Sequence, residues 1–296
     1  MKTIALICTH NGEQFIEEQI NSILKQTTKL DLIIIDDYSS EDLTLELVKK
    51  YSKDHVNIEF NGYDTALGPA HSFLNSIKSV RENQGSDYIL YLVDQDDLWL
   101  PYKNENVLKE FYNSKPAIIF HDVEIVNDKL LSLKKSYYGK YWSVPRDLKF
   151  PNQFFSNCVI GHTCAISSKF LNQIDLEYDN RIPMHDWYLV NEALFLENKI
   201  IFLEKVLSLY RQHDKNILGA SRNKKNNLFK SLLRHHSVLE NYHSFINEKY
   251  PKIVKRYRLN SPFTALKHIR PIKKLITTLA IKFISTYDKI RLPRTK

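Results

Sequence analysis

The chain has 296 residues, of which 43% are hydrophobic and 26% are charged, and its formal net charge is +8. This length suits one large domain, or one domain with a small appendage, and the hydrophobic share can build a sizeable core. The three cysteines are odd in number and form no C-x-x-C pair, which argues against a disulfide framework and suits a reducing cytosol.

The first third of the chain alternates apolar runs with helical patterns. The predicted strands cover residues 2–9, 31–37, 56–62 and 87–94, and the predicted helices cover 17–26, about 39–51 and about 70–80, with a fourth starting at Pro101. Ser39 and Ser40 offer an N-cap for the second of these helices. The alternation favours an α/β fold in which a mostly parallel, Rossmann-like sheet has helices on both faces.

The middle of the chain is less regular. It predicts a more exposed strand over 117–127, an aromatic loop over 136–145, and a short helix followed by a strand over 154–167. It also predicts a helix over 181–198 and two short strands over 200–213, with a turn at Glu204 and Lys205. We find no internal repeat and no low-complexity segment.

Polar residues follow each of the first four predicted strands, and ligands of parallel sheets bind beyond the carboxyl ends of the strands. These residues are Thr9, His10 and Asn11, then Asp36 and Asp37, then Asn61 and Gly62, and finally Asp94, Asp96 and Asp97. Three carboxylates within four positions repel one another unless they share a cation or a hydrogen-bonding ligand.

The acidic segment after the fourth strand has the pattern D-x-D. Because alternate residues of a strand point the same way, we expect Asp94 and Asp96 to share a face while Asp97 begins the turn. Mg²⁺ and Mn²⁺ prefer oxygen ligands, and one or two carboxylates often hold them while substrate phosphates complete the shell. A buried strand before the motif, with Trp99 and Pro101 after it, makes this context more specific than an isolated acidic turn.

Several segments, in this order along the chain, resemble the motifs of family 2 glycosyltransferases with the GT-A fold. They are ICTHNG, IIIDDYSSED, LVDQDDLW, GHT and HDW, and YRQHDKN at 210–216 resembles a rhamnosyltransferase-like bacterial branch that builds surface polysaccharides. The resemblance covers about residues 1–220 and implies a GT-A domain there, while the residues after it predict a helical, basic and membrane-associating region over 221–296. It further implies inverting transfer of a sugar from a UDP- or dTDP-linked donor to a lipid-linked saccharide, with Mn²⁺ or Mg²⁺ as cofactor.

The resemblance also implies a role for individual residues. It assigns nucleotide or donor binding to Thr9, Asn11, Asp36, Asp37, Asp94, Gly161, His162, Thr163 and Arg211, and the metal to Asp96 or Asp97 with His213. Asp186 stands where the family keeps its catalytic carboxylate, and a carboxylate within reach can remove the proton of an acceptor hydroxyl. From the residues alone, Asp186 could equally cap its helix, Asp36 could satisfy backbone donors, and His213 could lie on the surface.

The positive charge belongs to the end of the chain. Residues 252–296 hold 13 Lys and Arg and one acid, which leaves 29 basic and 33 acidic residues, a net of −4, in the first 251. From Phe263 onward, apolar residues recur every three or four positions between lysines and arginines. This pattern fits a helix lying on an anionic membrane surface, or a helix packed on the domain with a solvated basic face.

Two other functions compete with glycosyl transfer. A nucleic-acid- or polyanion-binding protein using the basic tail would need basic residues on the fold itself, whereas the first 251 residues are net acidic. A sugar nucleotidyltransferase would need a Gly-rich, basic loop near the N-terminus, which ICTHNGEQF does not provide. No apolar stretch approaches 18 residues and no signal peptide is evident. We therefore expect a cytoplasmic protein, peripheral on the inner face of the cytoplasmic membrane, with no nucleic-acid partner.

Overall fold

The computed structural model describes residues 1–138, 148, 152–214 and 228–257, the side chains of the last segment from residue 237. One sheet contains all strands of the described ranges. These are β1 (Lys2–Thr9), β2 (Leu32–Tyr38), β3 (Ile58–Tyr63), β4 (Tyr88–Val93), β5 (Leu98–Trp99), β6 (Ile118–Asn127), β7 (Ser132–Lys134), β8 (Ala165–Ser167) and β9 (Ile200–Gln212).

The strands follow the order β3-β2-β1-β4-β8-β6-β9-β5, and β7 pairs with β6. Strands β1 to β4 pair in parallel, and β6 pairs in parallel with β9. Between these two blocks, β8 runs antiparallel to both β4 and β6. Two reversals restore the direction, so β4 and β6 point the same way and their carboxyl ends lie at one edge of the sheet.

Helices cover both faces of the sheet. They are α1 (Ile16–Leu24), α2 (Thr44–Asp54), α3 (Pro69–Asn83), α4 (Lys103–Ser114), α5 (Asn152–Phe155), α6 (Ser168–Leu171), α7 (His185–Phe195), α8 (Leu228–Lys249) and α9 (Pro251–Arg256), with a 3₁₀ turn at Gly161–Thr163. Side chains of β1 alternate between the faces: Ile4 and Leu6 join the core under α3 and α7, whereas Ala5 and Ile7 join the core under α1, α2 and α4. The α/β prediction of a mostly parallel sheet flanked by helices is confirmed.

Three local predictions were wrong. The strand β6 is interior and largely buried rather than exposed, because β8 and β9 cover its two edges. The segment 200–213 is one strand, and Glu204 and Lys205 form a bulge in it, since Leu203 pairs with His121 and Val206 pairs with the next residue. Helix α2 begins at Thr44, and Asp42 rather than Ser39 or Ser40 accepts from its first backbone N–H.

The end of the chain is described only as far as residue 257. There α8 and α9 pack on the α3 and α7 side of the sheet, where Tyr242, Ile246 and Val254 join the core. The predicted domain boundary near residue 220, the basic helix from Phe263, and Tyr141 and Trp142 of the aromatic loop lie outside the described residues. No helix within the described ranges combines the length and the apolar character needed to cross a bilayer.

Candidate active site

The acidic segment folds back on itself after β4. The strand stops at Val93 and residues 95–96 form a turn, so Asp97 returns to the side of Asp94. His162 joins them: its Nδ1 lies 2.6 Å from Asp97 Oδ2 and 3.5 Å from Asp94 Oδ2. Asp96 instead contacts His213, whose Nε2 is 2.8 Å from Asp96 Oδ2. The expectation that Asp94 and Asp96 share a face was therefore wrong, because the strand ends before the motif.

In the cluster of Asp94, Asp97 and His162, two carboxylates repel each other and the imidazole offsets part of their negative charge. Burial raises the pKa of Asp97 to about 6. For His162, burial alone would lower the pKa, but the two carboxylates outweigh it and raise the pKa to about 9. At neutral pH the imidazolium therefore offsets one of the two negative charges. Asp97 and His162 are fully buried, whereas 35% of the Asp94 side chain is exposed.

These three residues fit a divalent cation. Their ligand atoms all lie within 4.8 Å of one another. Two carboxylates suit Mg²⁺ or Mn²⁺, and His162 would add a neutral imidazole ligand to Mn²⁺ after releasing the proton that it shares with the carboxylates. The buried His162 Nε2 has no hydrogen-bond partner in the described part of the chain. Because Asp94 opens to solvent, phosphate oxygens of a ligand could complete the shell.

A buried lysine under the cluster escaped the sequence analysis. Lys103 is fully buried, donates from Nζ to the His162 carbonyl at 2.8 Å, and lies 3.9 Å over the Trp99 ring. Burial lowers the pKa of Lys103 to about 7, against the pull of Asp97. One indication of this role is present in the sequence. Lys103 is the first residue of α4, and a cation is disfavoured at the positive end of a helix unless a partner requires it there.

Asp186 and His185 lie in the first turn of α7, next to the 3₁₀ turn that carries His162. A Cβ added to Gly161 would come within 2.8 Å of His185 Nε2 and 3.5 Å of Asp186 Cβ. A side chain at this position would thus push the His185 ring away, whereas Asp186 would stay at ordinary van der Waals distance. Glycine therefore permits the turn to contact α7 through Gly161 and the carboxylate cluster through His162.

Burial sets the protonation of both residues. It raises the pKa of Asp186 to about 7; the Trp187 backbone N–H, 2.6 Å from Oδ1, opposes this shift and the charge of Asp94 adds to it. Burial lowers the pKa of His185 to about 4, and this neutral ring stacks on Phe73 at 4.1 Å. A carboxylate with a pKa near 7 is poised to exchange a proton at physiological pH.

The predicted nucleotide-binding residues tie the first two loops of the sheet edge together. Thr9 Oγ1 donates to Asp37 Oδ1 at 2.7 Å, and the Ser40 backbone N–H donates to Asp37 Oδ2 at 3.0 Å. Asn11 adopts a left-handed conformation with φ 50°, and its N–H donates to Ser40 Oγ at 2.8 Å. Asp36 is buried and accepts from Asn61 Nδ2 at 2.8 Å, while burial raises its pKa.

Two glutamines that the sequence analysis missed fix the loop after β4. Gln95 holds it against the loop after β1, and Gln19 holds it against α1. Gln95 accepts from the His10 N–H at 3.0 Å and donates to the His10 carbonyl at 3.1 Å. Gln19 donates from Nε2 to the Asp94 carbonyl at 3.0 Å. Since both contacts are made to backbone, they fix the relative position of the loops that carry Thr9, Asn11 and Asp94.

Two predicted donor-binding side chains contact the protein itself. Thr163 Oγ1 donates to the Ile160 carbonyl at 2.6 Å, which closes the 3₁₀ turn. Arg211 is 2% exposed, donates to the carbonyls of Asp96 and Asp128 at 2.9 Å each, and pairs with Glu18. It also lies 4.3 Å over the Phe15 ring. The guanidinium therefore supports the Asp96 loop from beneath.

Residues 4–174 match Glycosyl transferase family 2, and the chain belongs to this family. It is 26% identical over 224 residues to the dTDP-rhamnosyl transferase RfbG of Shigella flexneri, which covers 73% of this chain and 74% of the relative. It is 24% identical over 238 residues to the Escherichia coli UDP-Glc:alpha-D-GlcNAc-diphosphoundecaprenol beta-1,3-glucosyltransferase WfgD, covering 79% of this chain and 83% of the relative. The chain is thus a glycosyltransferase, as predicted.

Solved structures share the fold. Residues 1–349 of Staphylococcus aureus TarS in complex with UDP-GlcNAc superpose with a TM-score of 0.57 at 14% identity, covering 95% of this chain and 79% of that one. The mannosyltransferase PcManGT of Pyrobaculum calidifontis in complex with GDP-Man and Mn²⁺ superposes with a TM-score of 0.56 at 13% identity, covering 99% and 81%. The GT-A fold prediction is confirmed.

Proposed function

We propose that this glycosyltransferase is metal-dependent and inverting, and that it transfers a sugar from a UDP- or dTDP-sugar to a lipid-linked saccharide in surface-polysaccharide assembly. The observation that carries the proposal is the 3₁₀ turn at Gly161–Thr163. Through His162 it contacts the carboxylates Asp94 and Asp97, and through Gly161 it contacts the start of α7. A cation-binding group and a candidate base are thereby held on two sides of one short turn.

The donor nucleotide would lie over the loops after β1, β2 and β4. Thr9, Asn11 and Asp37 shape this surface, since the Thr9 and Asp37 side chains and the Asn11 backbone N–H cross-link the loops after β1 and β2 and fix the backbone that a nucleotide meets. Asp94 is the partly exposed carboxylate at the edge and is suited to meet a ribose or phosphate. A preorganised surface of this kind lowers the entropy lost when a ligand binds.

Asp94, Asp97 and His162 would hold Mn²⁺ or Mg²⁺, and Asp96 with His213 would support the same loop from the next position. When bound, the cation would offset the negative charge that develops on the leaving diphosphate. Arg211 would act by positioning Asp96, because its donors contact backbone carbonyls and Glu18. This differs from the direct diphosphate contact expected from the sequence.

Asp186 would remove the proton from the acceptor hydroxyl as that oxygen attacks the anomeric carbon. Its raised pKa, about 7, makes it a stronger base than an exposed aspartate while leaving about half of it ionised at pH 7. A base on the acceptor side and a cation on the diphosphate side describe a single displacement with inversion. The neutral His185 next to it packs on Phe73, which leaves proton transfer to Asp186.

The names of two relatives support the substrate classes. RfbG is named for a dTDP-linked donor, and WfgD is named for a UDP-linked donor and a diphosphoundecaprenol acceptor. A lipid-linked acceptor would place the enzyme at a membrane surface. The basic segment 252–296 would contribute to that association through its lysines and arginines.

Donor turnover tests the proposal. Purified protein is incubated with a panel of UDP- and dTDP-sugars, Mn²⁺ and undecaprenyl-diphosphate-linked saccharides, and release of nucleoside diphosphate is followed. We expect release with one donor, loss of release on chelation, and product of inverted anomeric configuration. Silence with every donor and acceptor pair, from protein that is folded by circular dichroism, would contradict the proposal.

A matched pair of variants tests the assignment of the base. Asp186→Asn should keep nucleotide affinity by calorimetry and lose transfer, whereas Asp97→Asn should lose Mn²⁺-dependent nucleotide affinity. Equal loss of binding and transfer in Asp186→Asn would show that this residue does not serve as the base.

A further inference from the structure

The exposed leucines of the described residues are concentrated in one hairpin. Leu130, Leu131 and Leu133 are 38%, 63% and 59% exposed and belong to the leucine hairpin, the continuously exposed run of residues 128–133 that comprises the turn after β6 and the first two residues of β7. The other exposed large hydrophobic side chains of the described ranges are spread along the chain, as Met1, Leu43, Val56, Tyr102, Tyr112, Leu196 and Tyr257. Single exposed apolar residues are ordinary, but a cluster marks an interaction surface.

The turn of the leucine hairpin is held by hydrogen bonds and has a strained backbone at one residue. Asn127 Oδ1 accepts from the N–H groups of Lys129 and Leu131, at 3.1 and 2.8 Å. The Leu130 N–H donates to the Asn127 carbonyl at 3.0 Å, and Leu130 holds a left-handed backbone with φ 61°. Glycine or asparagine fits this turn position better than leucine does. An apolar side chain kept at a strained tip points to a function for that side chain.

The leucine hairpin stands at the rim of the candidate active site. Strand β6 delivers it to the edge where β4 also ends, because the two strands point the same way. Arg211 connects it to the site: Nη1 donates to the Asp128 carbonyl and Nε donates to the Asp96 carbonyl, both at 2.9 Å. One buried side chain thus fixes the distance between the exposed leucines and the acidic loop.

The charges around the leucines indicate what they contact. Residues 124–135 contain three lysines, Lys129, Lys134 and Lys135, and two acids, Glu124 and Asp128. Lys135 pairs with Glu124 at 2.7 Å and Lys134 Nζ donates to the Tyr137 carbonyl at 2.8 Å, so the segment keeps a positive balance of one charge. Leucines at a tip with lysines behind them suit a bilayer interface, where the apolar groups enter the headgroup region and the ammonium groups meet anionic lipids.

We infer that the leucine hairpin inserts into the surface of an anionic bilayer and thereby holds the mouth of the active site against the membrane. The inference rests on the proposed function for its purpose, since a lipid-linked acceptor must be reached at that surface. It concerns residues separate from the basic tail and from the catalytic cluster, so its test does not require turnover.

A fluorescence measurement on the full-length chain tests contact at the hairpin itself. Ser132→Cys is labelled with an environment-sensitive fluorophore, and Val56→Cys serves as the matched site, fully exposed at the opposite edge of the sheet before β3. The native Cys158 and Cys164 are buried, and labelling of the unsubstituted chain gives the background from Cys8. Vesicles of phosphatidylcholine with phosphatidylglycerol should shift the emission to the blue at residue 132 and leave residue 56 unchanged.

Two results would overturn the inference. One is an unchanged emission at residue 132 while the protein cosediments with vesicles, since another part of the chain would then make the contact. The other is a blue shift that needs no lipid and rises with protein concentration, which would identify a contact between two copies of the chain.

Affinity gives a second, independent measure. The triple variant Leu130→Ser, Leu131→Ser and Leu133→Ser should lower vesicle affinity about tenfold or more, given the leucine methylene and methyl groups removed from the interface. The control triple Val56→Ser, Tyr112→Ser and Leu196→Ser removes exposed apolar groups elsewhere and should change it less than about twofold. An equal effect of both triples would refute a specific role for the hairpin.

Nucleotide binding separates this inference from the proposed function. The leucine triple should bind UDP with Mn²⁺ as the unsubstituted chain does. If the unsubstituted chain binds vesicles through residue 132 but turns over no donor, the proposed function fails and the bilayer contact remains. If it turns over donor but shows no emission shift on vesicles, the proposed function stands and the bilayer contact of the hairpin is refuted.

Discussion

The raised pKa of Asp186 makes a quantitative prediction for the Asp186→Asn variant, in stability as well as in activity. Burial holds the pKa at about 7, against an ordinary value of 3.8. The folded state therefore keeps a proton on Asp186 between about pH 4 and 7 that the unfolded state has lost. The sign follows from linkage: this carboxyl reduces the free energy of unfolding as pH rises through that window.

The size of the effect follows from the same two values. A pKa raised by about three corresponds to about 4 kcal/mol at pH 8, where both states have released the proton. Asparagine is close in shape and carries no charge to bury, so Asp186→Asn should raise the free energy of unfolding by up to about 4 kcal/mol at pH 8. The gain should nearly vanish at pH 4, where the native carboxyl is neutral. Transfer should fall by about 10²- to 10⁴-fold, as expected when a general base is removed.

Urea unfolding at pH 4, 6 and 8 and donor turnover measure the two effects on one variant. Asp54→Asn is the control, because this exposed acid at the end of α2 should change neither. In the unsubstituted enzyme, kcat/KM should fall about tenfold for each pH unit below about pH 7, because Asp186 becomes protonated there. A variant that is destabilised equally at pH 4 and pH 8, or that transfers at the unsubstituted rate, would refute the assignment of Asp186 as a buried base.

Three further predictions concern the neighbouring residues. Asp94→Asn and Asp97→Asn should each weaken Mn²⁺-dependent UDP binding at least about tenfold by calorimetry. Asp87→Asn, which lies just before β4 and is 78% exposed, is the unaffected control, and equal affinity in all three variants would contradict the cation site. Gly161→Ala should reduce transfer because its Cβ would lie 2.8 Å from His185 Nε2, and the double variant Gly161→Ala with His185→Ala should recover part of the loss; no recovery would exclude the ring as the obstacle. Lys103→Met should lower the free energy of unfolding by about 3–5 kcal/mol because it removes the buried cation beside Asp97, and an unchanged urea midpoint would show that Asp97 does not depend on it.

The parallel half of the fold could be predicted because its strands are continuous apolar runs that end in polar residues. Strand β1 occupies Lys2–Thr9 as predicted, and β2 and β4 differ from prediction by one residue at each end. A sheet covered on both faces demands such runs, so local sequence and tertiary burial agree there. The same agreement brought Thr9, Asp37 and Asp94 to the predicted edge.

The remaining details depend on tertiary contacts that local patterns do not carry. Glu204 and Lys205 suggest a turn, but a bulge also accommodates two extra polar residues, and only pairing with β6 distinguishes the two. The alternation expected for Asp94 and Asp96 failed because β4 ends one residue earlier, at Val93. Lys103 is fully buried because Trp99 and the His162 carbonyl surround its ammonium group, and these lie on separate elements.

The reversed strand β8 explains why residues so far apart in the sequence form one site. An antiparallel strand begins at the edge where its parallel neighbours end, so the turn Gly161–Thr163 just before β8 must lie beside the carboxyl end of β4. His162 is thereby delivered to Asp94 and Asp97 by topology, and its positive charge reduces the repulsion between them. The carboxylate cluster can therefore persist in a largely buried position because the sheet supplies an imidazole from the opposite direction.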